Sequence, residues 1–331
     1  QAHALGLKVL IDWVPNHAGA DHRWLTEHPD FFELDSAGKP AIPYDWTDTR
    51  QLNHANPIMQ DSMIAAMQYW VLNTGIDGFR QDVAWNVPAS FWQRCIATLN
   101  QLKPGMYWLA EGDKDYLHPS GFDATYPWEM FHMMEKIAAG QRPAFGIDSV
   151  KQKYDSVYPA NAQILYFTSN HDENSWNKAD YGTFPAEVHA PFAVFSQTMH
   201  KSVPLIYSGQ EEPVLRPLAF FEKDPIEFKN FKRAQFYRTL LALRQRNAAL
   251  ASDASFTKIK AGNNNAVYAY VRAKAGKKVL VILNLSASVQ TIQLADKSLW
   301  GKPYNVFAGS KQTVSGKAWQ LQPWGYKVYE Y

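Results

Sequence analysis

The sequence has little of several features that define other classes of protein. Its 331 residues include one cysteine, so no intrachain disulfide can form, and we interpret Cys95, in the amphipathic stretch FWQRCIATL, as a core residue. No apolar run reaches the roughly 18 residues of a membrane-spanning helix. The 33 basic and 31 acidic residues nearly balance, which favours neither nucleic acid nor an anionic surface as a partner. A neutral or small substrate therefore fits the composition better, whereas compartment and oligomeric state do not follow from it.

A glycine-rich turn after a strand is also lacking, which argues against a dinucleotide-binding open sheet. Short apolar runs instead alternate with longer amphipathic stretches. Strands are predicted at Leu7–Val14, Gly78–Val83, Met106–Ala110, Phe122–Tyr126, Ile164–Ser169 and Pro204–Tyr207. Helices are predicted at Pro57–Asn73, Pro88–Leu102, Trp128–Ala139, Ala190–His200 and Ile226–Asn247. This alternation is typical of parallel strands with crossover helices, and we predict an α/β fold, a (β/α)8 TIM barrel whose first two strands precede Gln1.

Two further domains are predicted from changes in this pattern. Residues 18–56 are too many for an ordinary loop between a strand and its helix, so they form either a small inserted domain or a wall of the active site. After Ala251 the apolar period changes to two, as in NAVYAYVRA and KKVLVILNLS, which indicates antiparallel strands. We therefore predict a barrel from residues 1–17 and 57–251, an insert from 18–56, and an all-β sandwich from 252–331.

Charged side chains stand at the predicted strand ends. In GFRQDVAW, Arg80 and Asp82 interrupt an apolar strand and point to the same face. The working residues of parallel barrels lie at the carboxyl ends of strands. The motifs DWVPNH, LAEG and FTSNHDEN supply further candidates at such ends, namely Asp12, Asn16, His17, Glu111, His171 and Asp172. Several carboxylates are thus predicted to converge on one site.

Glycoside hydrolysis is a reaction that uses such a set, because it needs one ionised carboxylate and one carboxylic acid beside the scissile bond. Arg80 on the same face favours the ionised form of Asp82, as a nucleophile requires. Glu111 ends the apolar run MYWLA, where burial is expected to raise its pKa toward that of a general acid. The two environments indicate different roles for the two carboxylates.

The motifs DWVPNH, GFRQDVA, LAEG and FTSNHDEN resemble, in order and spacing, the four signature regions of the α-amylase family, glycoside hydrolase family 13. The resemblance implies a barrel with a small domain after its third strand and a C-terminal β-sandwich. It implies that Asp82 is the nucleophile of a covalent glycosyl–enzyme intermediate and that Glu111 is the general acid/base. It also implies that Asp172 binds hydroxyls of the sugar at the point of cleavage.

The same resemblance suggests supporting roles around the substrate. His17 and His171 would hydrogen-bond the sugar, Arg80 would orient Asp82, and Asp12 would support the site. Two aromatic residues either stack on sugar rings or pack in the core, namely Trp85 and Trp176.

Three residues bear on cofactors. Trp85 and Asn86 stand where many α-amylases have Lys-His, a pair that contacts the substrate and a structural calcium. Asn16 matches a family calcium ligand, although a calcium ion is coordinated by six to eight oxygens. The resemblance implies no cofactor for the chemistry and leaves a structural calcium open.

The sequence thus predicts a retaining glycosidase that cleaves α-1,4-glucosidic bonds of starch or maltooligosaccharides. A transglycosylase or an α-glucoside isomerase of the same family would share the first half-reaction. A metal-dependent sugar isomerase would use the carboxylates and histidines as ligands, which the neighbouring Arg80 disfavours. A non-catalytic family member is the fourth alternative, and the intact acids Asp82, Glu111 and Asp172 argue against it.

Overall fold

The computed structural model describes residues 1–331 apart from the side chain of Ala179. The chain forms two compact units, Gln1–Tyr126 and Pro127–Tyr331, and each is treated by itself below. Among the helices of the described residues, none combines the length and the apolarity that a bilayer crossing requires.

The first unit contains a parallel sheet, a small antiparallel pair and three helices. Its strands are β1 Leu10–Trp13, β2 His17–Gly19, β3 Thr49–Gln51, β4 Gly78–Gln81, β5 Tyr107–Ala110 and β6 Ala124–Thr125. Its helices are α1 Trp24–Glu27, α2 Pro57–Thr74 and α3 Ala89–Leu102. Strands β1, β4, β5 and β6 pair in parallel in that order, and β2 pairs with β3 antiparallel.

Strand β4 lies between two parallel neighbours, and all four of its residues are buried. Gly78 permits the close approach of β5, because a Cβ at this position would lie 2.0 Å from the carbonyl oxygen of Tyr107. The parallel register sets Asp12 opposite Arg80 and Gln81 opposite Ala110. The carboxyl ends of β1, β4 and β5 are therefore held level.

Helix α2 follows from local sequence signals. Asn56 caps it by accepting hydrogen bonds from the backbone N–H groups of Ile58 (2.9 Å) and Met59 (3.2 Å), and Pro57 occupies the first helical position. The helix ends at Gly75, whose φ of 67° is easily reached only without a Cβ. Its buried side chains join the core of the first unit with residues from α3 and the strands, including Met59, Met63, Met67, Phe79, Phe91, Trp92 and Trp108.

The second unit begins with helices around one short strand. The elements are α4 Trp128–Ala138, α5 Gly146–Val157, β7 Gln163–Ile164, α6 His189–Thr198 and α7 Ala234–Arg246. Two π-helical turns lie between β7 and α6, at Glu173–Asn177 and Ala179–Thr183. Helix α5 is an element that the sequence reasoning missed.

The C-terminal part of the second unit is all β. Its strands are β8 Ser255–Ile259, β9 Val267–Lys274, β10 Lys277–Asn284, β11 Gln290–Ile292, β12 Tyr304–Asn305, β13 Ser310–Lys311, β14 Trp319–Leu321 and β15 Tyr326–Glu330. Six of them form one sheet in the order β13-β12-β15-β10-β9-β8, and β11 pairs with β14. A core cluster includes residues of both sheets, among them Val267, Leu280, Ile282, Ile292 and Leu321. The period-two prediction for this segment is correct, and the exact domain boundaries stay predictions.

Besides the strand expected at Phe122–Tyr126, which is shortened to β6, three predicted elements differ from the structure. The strand expected at Ile164–Ser169 is only Gln163–Ile164, and the one expected at Pro204–Tyr207 is not formed in this fully described segment. Pro204 has no N–H for a ladder, and an isolated bridge between Ile164 and Ser202 stands in its place.

The third difference concerns the last long helix, which begins at Ala234 instead of Ile226. The Glu212 carboxylate accepts the backbone N–H groups of Lys229, Asn230 and Phe231 at 2.9 to 3.1 Å. These bonds hold the preceding segment as a loop.

Candidate active site

The end of the parallel sheet in the first unit brings together Arg80, Asp82, Glu111 and Asp12. Asp82 follows β4 directly, and its backbone N–H donates to the carbonyl of Trp13 at 2.8 Å. Glu111 follows β5 directly, and its N–H donates to the carbonyl of Gln81 at 3.0 Å. Both bonds extend the ladder by one residue, so the sheet itself positions these carboxylates.

Arg80 is the centre of this arrangement. Its Nη1 donates to Asp82 Oδ1 at 2.5 Å and to Asp12 Oδ1 at 2.9 Å, and its Nη2 lies 3.2 Å from Glu111 Oε2. The guanidinium is buried, whereas the side chain of Asp12 is 57% exposed. Burial alone would lower the pKa of Arg80, but Tyr126 and the three carboxylates raise it. One permanent cation thus holds three carboxylates of the set.

Glu111 has a second donor in the backbone. The N–H of Val83 donates to Glu111 Oε2 at 2.8 Å. Val83 has φ 47°, in the left-handed region that β-branched residues rarely adopt, and this turn aims its N–H at Glu111. The structure buries Glu111, as expected from the apolar run before it, yet both donors favour its ionised form. The role of general acid therefore stays a prediction.

Tyr126, at the end of the predicted strand Phe122–Tyr126, also belongs to the site. Arg80 Nε donates to its hydroxyl at 3.3 Å, and the guanidinium carbon lies 5.5 Å from the ring centroid. Burial raises the pKa of Tyr126 to about 12, against the opposing effect of Arg80. The sequence reasoning missed this residue, although the same rule of strand ends points to it.

His17 opens β2 and lies close enough to Asp82 for their charges to interact. Burial lowers the pKa of His17, although the negative charges of Asp82 and Asp48 oppose this effect. The imidazole is therefore neutral at neutral pH and able to hydrogen-bond a sugar hydroxyl. Its ring centroid is 5.3 Å from that of Trp46 in the predicted insert.

An aromatic group continues from Trp46 to Trp85. Tyr44 lies 4.9 Å from Trp46 and 5.9 Å from Trp85 between ring centroids, and Tyr44 is 59% exposed. Trp85 lies on the 3-10 turn Ala84–Asn86. It is so close to Gly112 that a Cβ added to this glycine would lie 2.9 Å from the Cβ of Trp85. Trp85 is half-buried and packs against the residue after Glu111, so a flat aromatic surface adjoins the carboxylates.

The other candidates lie in the second unit. His171 Nε2 and Asp172 Oδ2 are 3.4 Å apart, and both side chains are partly exposed. Asp172 was predicted at a strand end, but it immediately precedes the π-helical turn Glu173–Asn177, eight residues after β7. Trp176 lies on that turn and is 59% exposed, so it is not a core residue. Its suggested contact with sugar stays a prediction.

Asp172 has two titratable neighbours. Burial, with the charge of Asp172, raises the pKa of Tyr207. Burial also raises the pKa of Glu173 to about 7, with the charges of Glu135 and Asp172 adding to the effect and a hydrogen bond from Asn177 opposing it. The sequence reasoning did not single out either residue.

Parallel strands that end in an arginine–carboxylate cluster, followed along the chain by an all-β region, fit the α/β-barrel class that the sequence predicts. The profile described as "Alpha-amylase SusG C-terminal domain" matches residues 267–325. The "Alpha-amylase MalA" of Haloarcula japonica is 25% identical over 310 residues, with 88% of this chain and 45% of that protein covered. A Bacillus "Cyclomaltodextrinase" is 26% identical over 332 residues, with 88% of this chain and 56% of that protein covered.

A solved structure gives the same likeness over the whole chain. The maltogenic α-amylase AmyB of Thermotoga neapolitana superposes with a TM-score of 0.86 at 25% identity, covering 100% of this chain and 79% of that one. Over most of its length the chain is thus similar to members of the α-amylase family. The predicted TIM-barrel fold with a C-terminal β domain is thereby confirmed. The chain spans about half the length of the curated relatives it matches.

The surroundings of Asn16 bear on the calcium that the family resemblance left open. Asn16 Oδ1 accepts hydrogen bonds from Gln51 Nε2 (3.0 Å) and Asn86 Nδ2 (2.9 Å). Its backbone oxygen accepts from Gln51 Nε2 (3.0 Å) and from the N–H of Leu52 (3.1 Å). Both oxygens therefore face neutral donors, whereas calcium needs a shell of oxygens. The residues around Asn16 do not fit a calcium ion.

Proposed function

We propose that the whole protein is a retaining glycosidase that hydrolyses α-1,4-glucosidic bonds of starch or maltooligosaccharides. The observation that carries this proposal is the contact of one guanidinium, that of Arg80, with Asp82 at 2.5 Å and Glu111 at 3.2 Å. Two carboxylates at neighbouring strand ends are the groups that a double-displacement reaction at a sugar carbon requires.

In this proposal Asp82 is the nucleophile. It attacks the anomeric carbon and displaces the leaving sugar, forming a covalent glycosyl–enzyme. Arg80 keeps the attacking carboxylate ionised and fixes its direction. His17, neutral at the working pH, and Asp172 hold sugar hydroxyls, and Asp12 supports Arg80 from the exposed side.

Glu111 protonates the leaving glycosidic oxygen. Water then attacks the anomeric carbon, gives a proton to Glu111 and releases the Asp82 carboxylate from the glycosyl ester. The two donors to Glu111, Arg80 and the Val83 N–H, favour the carboxylate, and the buried setting favours the acid. As the acid, Glu111 must carry a proton when the substrate is bound, and a sugar that excludes water favours the neutral form. No metal takes part in these steps.

Replacement of either carboxylate tests the proposal. In the full-length protein, Asp82→Asn and Glu111→Gln should each lower turnover of maltoheptaose by about a thousandfold or more, because the covalent step or its proton transfer is lost. Asp61→Asn, an exposed carboxylate on α2, is the matched control and should keep parental turnover. Near-parental activity in either site variant would show that these residues do not perform the reaction.

Transfer to a second sugar is the alternative with an observation in its favour. The surface of Tyr44, Trp46 and Trp85 beside the carboxylates offers stacking area to an acceptor sugar that competes with water. Products of maltoheptaose longer than the substrate, measured by chromatography, would identify transglycosylation, and a rearranged disaccharide would identify isomerisation. Shorter products alone would identify hydrolysis.

The metal-dependent sugar isomerase has less support. Arg80 contacts Asp82 and Glu111, two of the carboxylates that would serve as ligands, and a fixed cation repels a metal there. Across the described residues, moreover, no group of three or more His, Cys, Asp or Glu side chains has a metal-binding arrangement.

A further inference from the structure

Three large aromatic side chains stand exposed together in the second unit. Trp176 is 59% exposed, Phe220 45% and Phe221 71%. The ring centroids of Trp176 and Phe220 are 5.1 Å apart, and those of Phe220 and Phe221 are 5.0 Å apart. We call these three residues the outer aromatic surface. Exposed apolar groups that adjoin one another, unlike single exposed residues, often mark binding sites.

The loop that presents Phe220 and Phe221 is fastened to the segment that follows Asp172. Asn174 accepts the N–H of Leu218 at 2.9 Å and donates to the carbonyl of Arg216 at 3.3 Å. The Ser175 hydroxyl donates to the carbonyl of Leu218 at 2.9 Å. The Leu218 side chain is buried, so the loop has its own anchor and the outward direction of the two phenylalanines is not a sign of loose packing.

A bidentate ion pair between Arg216 and Asp224 holds the loop at its other end. Both terminal nitrogens of Arg216 donate to the two carboxylate oxygens of Asp224 at 2.6 Å, and the N–H of Ala219 donates to the same carboxylate at 2.9 Å. Bidentate pairs of this geometry fix both position and orientation. The outer aromatic surface is therefore held in shape before any ligand arrives, which lowers the entropic cost of binding.

The position of the surface indicates its ligand. Trp176 lies on the π-helical turn that starts directly after Asp172, so one short segment carries both the proposed sugar-binding carboxylate and one aromatic ring. Sugar rings have apolar faces that stack on aromatic side chains, and their hydroxyls bind polar groups at the edge. The exposed charged residues Glu222 and Lys223 follow Phe221 directly and form such an edge.

We propose that the outer aromatic surface binds glucose units of an α-glucan chain that extends away from the sugar held by Asp172. This inference rests on the proposed function and deepens it, because it makes the protein sensitive to the length of its substrate. A protein partner fits less well, since a stable protein interface uses about 20 to 30 residues on each side and this patch offers three aromatic rings.

Affinity for substrates of different length tests the inference. In the full-length protein, the double variant Phe220→Ala/Phe221→Ala should raise the ratio of KM for maltoheptaose to KM for maltotriose by about fivefold to tenfold, because only the longer chain reaches the surface. Phe145→Ala removes a similarly exposed ring (47%) elsewhere in the second unit and should leave the ratio at the parental value. An unchanged ratio in the double variant overturns the inference.

A binding measurement separates this inference from the proposed function. Maltoheptaose affinity is measured by calorimetry in an Asp82→Asn background, with and without the two phenylalanines. A weaker affinity on their removal supports the surface even if the protein proves not to hydrolyse α-glucans. If affinity stays the same but size-exclusion shows that the double variant has lost self-association, the surface contacts a second copy of the protein and the inference is overturned.

Discussion

The backbone N–H of Val83 donates to the carboxylate of Glu111 at 2.8 Å, and it does so from a left-handed conformation with φ 47°. Val83 follows Asp82 directly in the chain. The bend that ends the strand of one proposed catalytic carboxylate therefore also holds the other. A conformation that costs about 1–2 kcal/mol in an ordinary residue persists here because the surrounding bonds over-determine it.

A comparison of two substitutions at position 83 measures that strain. Both Val83→Ala and Val83→Gly lose the buried side chain, but only glycine adopts positive φ without cost. We expect the glycine variant to be more stable than the alanine variant by about 1 kcal/mol in urea unfolding. At Ala65, an exposed position of α2, replacement by glycine should destabilise by about 1 kcal/mol instead. If alanine is more stable than glycine at position 83, as it is expected to be at position 65, then Val83 is not strained.

Arg80 is predicted to be irreplaceable by lysine. A single ammonium cannot reach Asp82, Asp12 and Glu111 from the directions that the planar guanidinium serves. We expect Arg80→Lys to lower kcat on maltoheptaose by about a hundredfold, since small misplacements of reacting groups have effects of this size. Arg94→Lys, at an exposed ion pair with Asp61, is the control. A kcat within a few-fold of the parent would mean that charge alone suffices.

The amides around Asn16 lead to a prediction about calcium. Because Gln51 and Asn86 already donate to Asn16, a chelator should leave the melting temperature of the protein unchanged. Asn86→Ala should lower the free energy of unfolding by about 1 kcal/mol through the lost hydrogen bond, with or without calcium. Asn73→Ala, on the exposed side of α2, removes a surface amide for comparison. A drop in melting temperature with chelator would reveal a bound ion.

Glu173 is predicted to make stability depend on pH. Its folded pKa of about 7 lies above the usual value of 4.5, mainly because it is buried. The folded state therefore holds a proton that the unfolded state releases, and stability is lost as the pH rises from about 4.5 to 7. Glu173→Gln should raise the melting temperature at pH 8 by a few degrees, from about 1–2 kcal/mol after solvent screening, and much less at pH 4.5. Equal effects at both pH values would contradict this linkage.

The sequence predicted the parts of the site that depend on strand periodicity. The two-residue alternation in GFRQDVAW sets Arg80 and Asp82 on one face, and the structure joins them at 2.5 Å. Glu111 directly follows β5, at the carboxyl end of a strand where the sequence reasoning expected a working residue. Asp172 shows where the rule fails, because the strand before it has only two residues and a π-helical turn carries the carboxylate. Proline and irregular loops break the alternation that such a reading needs.

Contacts between distant parts of the chain were beyond the sequence pattern. The sequence around Asn16 carries no signal of its hydrogen bonds to Gln51, 35 residues away, and to Asn86, 70 residues away. The left-handed turn at Val83 was equally hidden, since valine is a poor indicator of such a conformation. Nothing in the sequence pattern singled out Phe220 and Phe221, and only the structure shows that they are exposed.

In the loop from Arg216 to Asp224, the residues that hold the loop in place differ from the residues that it exposes. The loop is held by the buried side chain of Leu218, the Arg216–Asp224 ion pair and the hydrogen bonds of Asn174. The exposed side chains of Phe220 and Phe221 contribute little to its packing. Substitutions at these two outward positions are therefore nearly neutral for folding. Under the proposed function, the preferred length of oligosaccharide could thus change through these two positions without any change to the carboxylate cluster around Arg80.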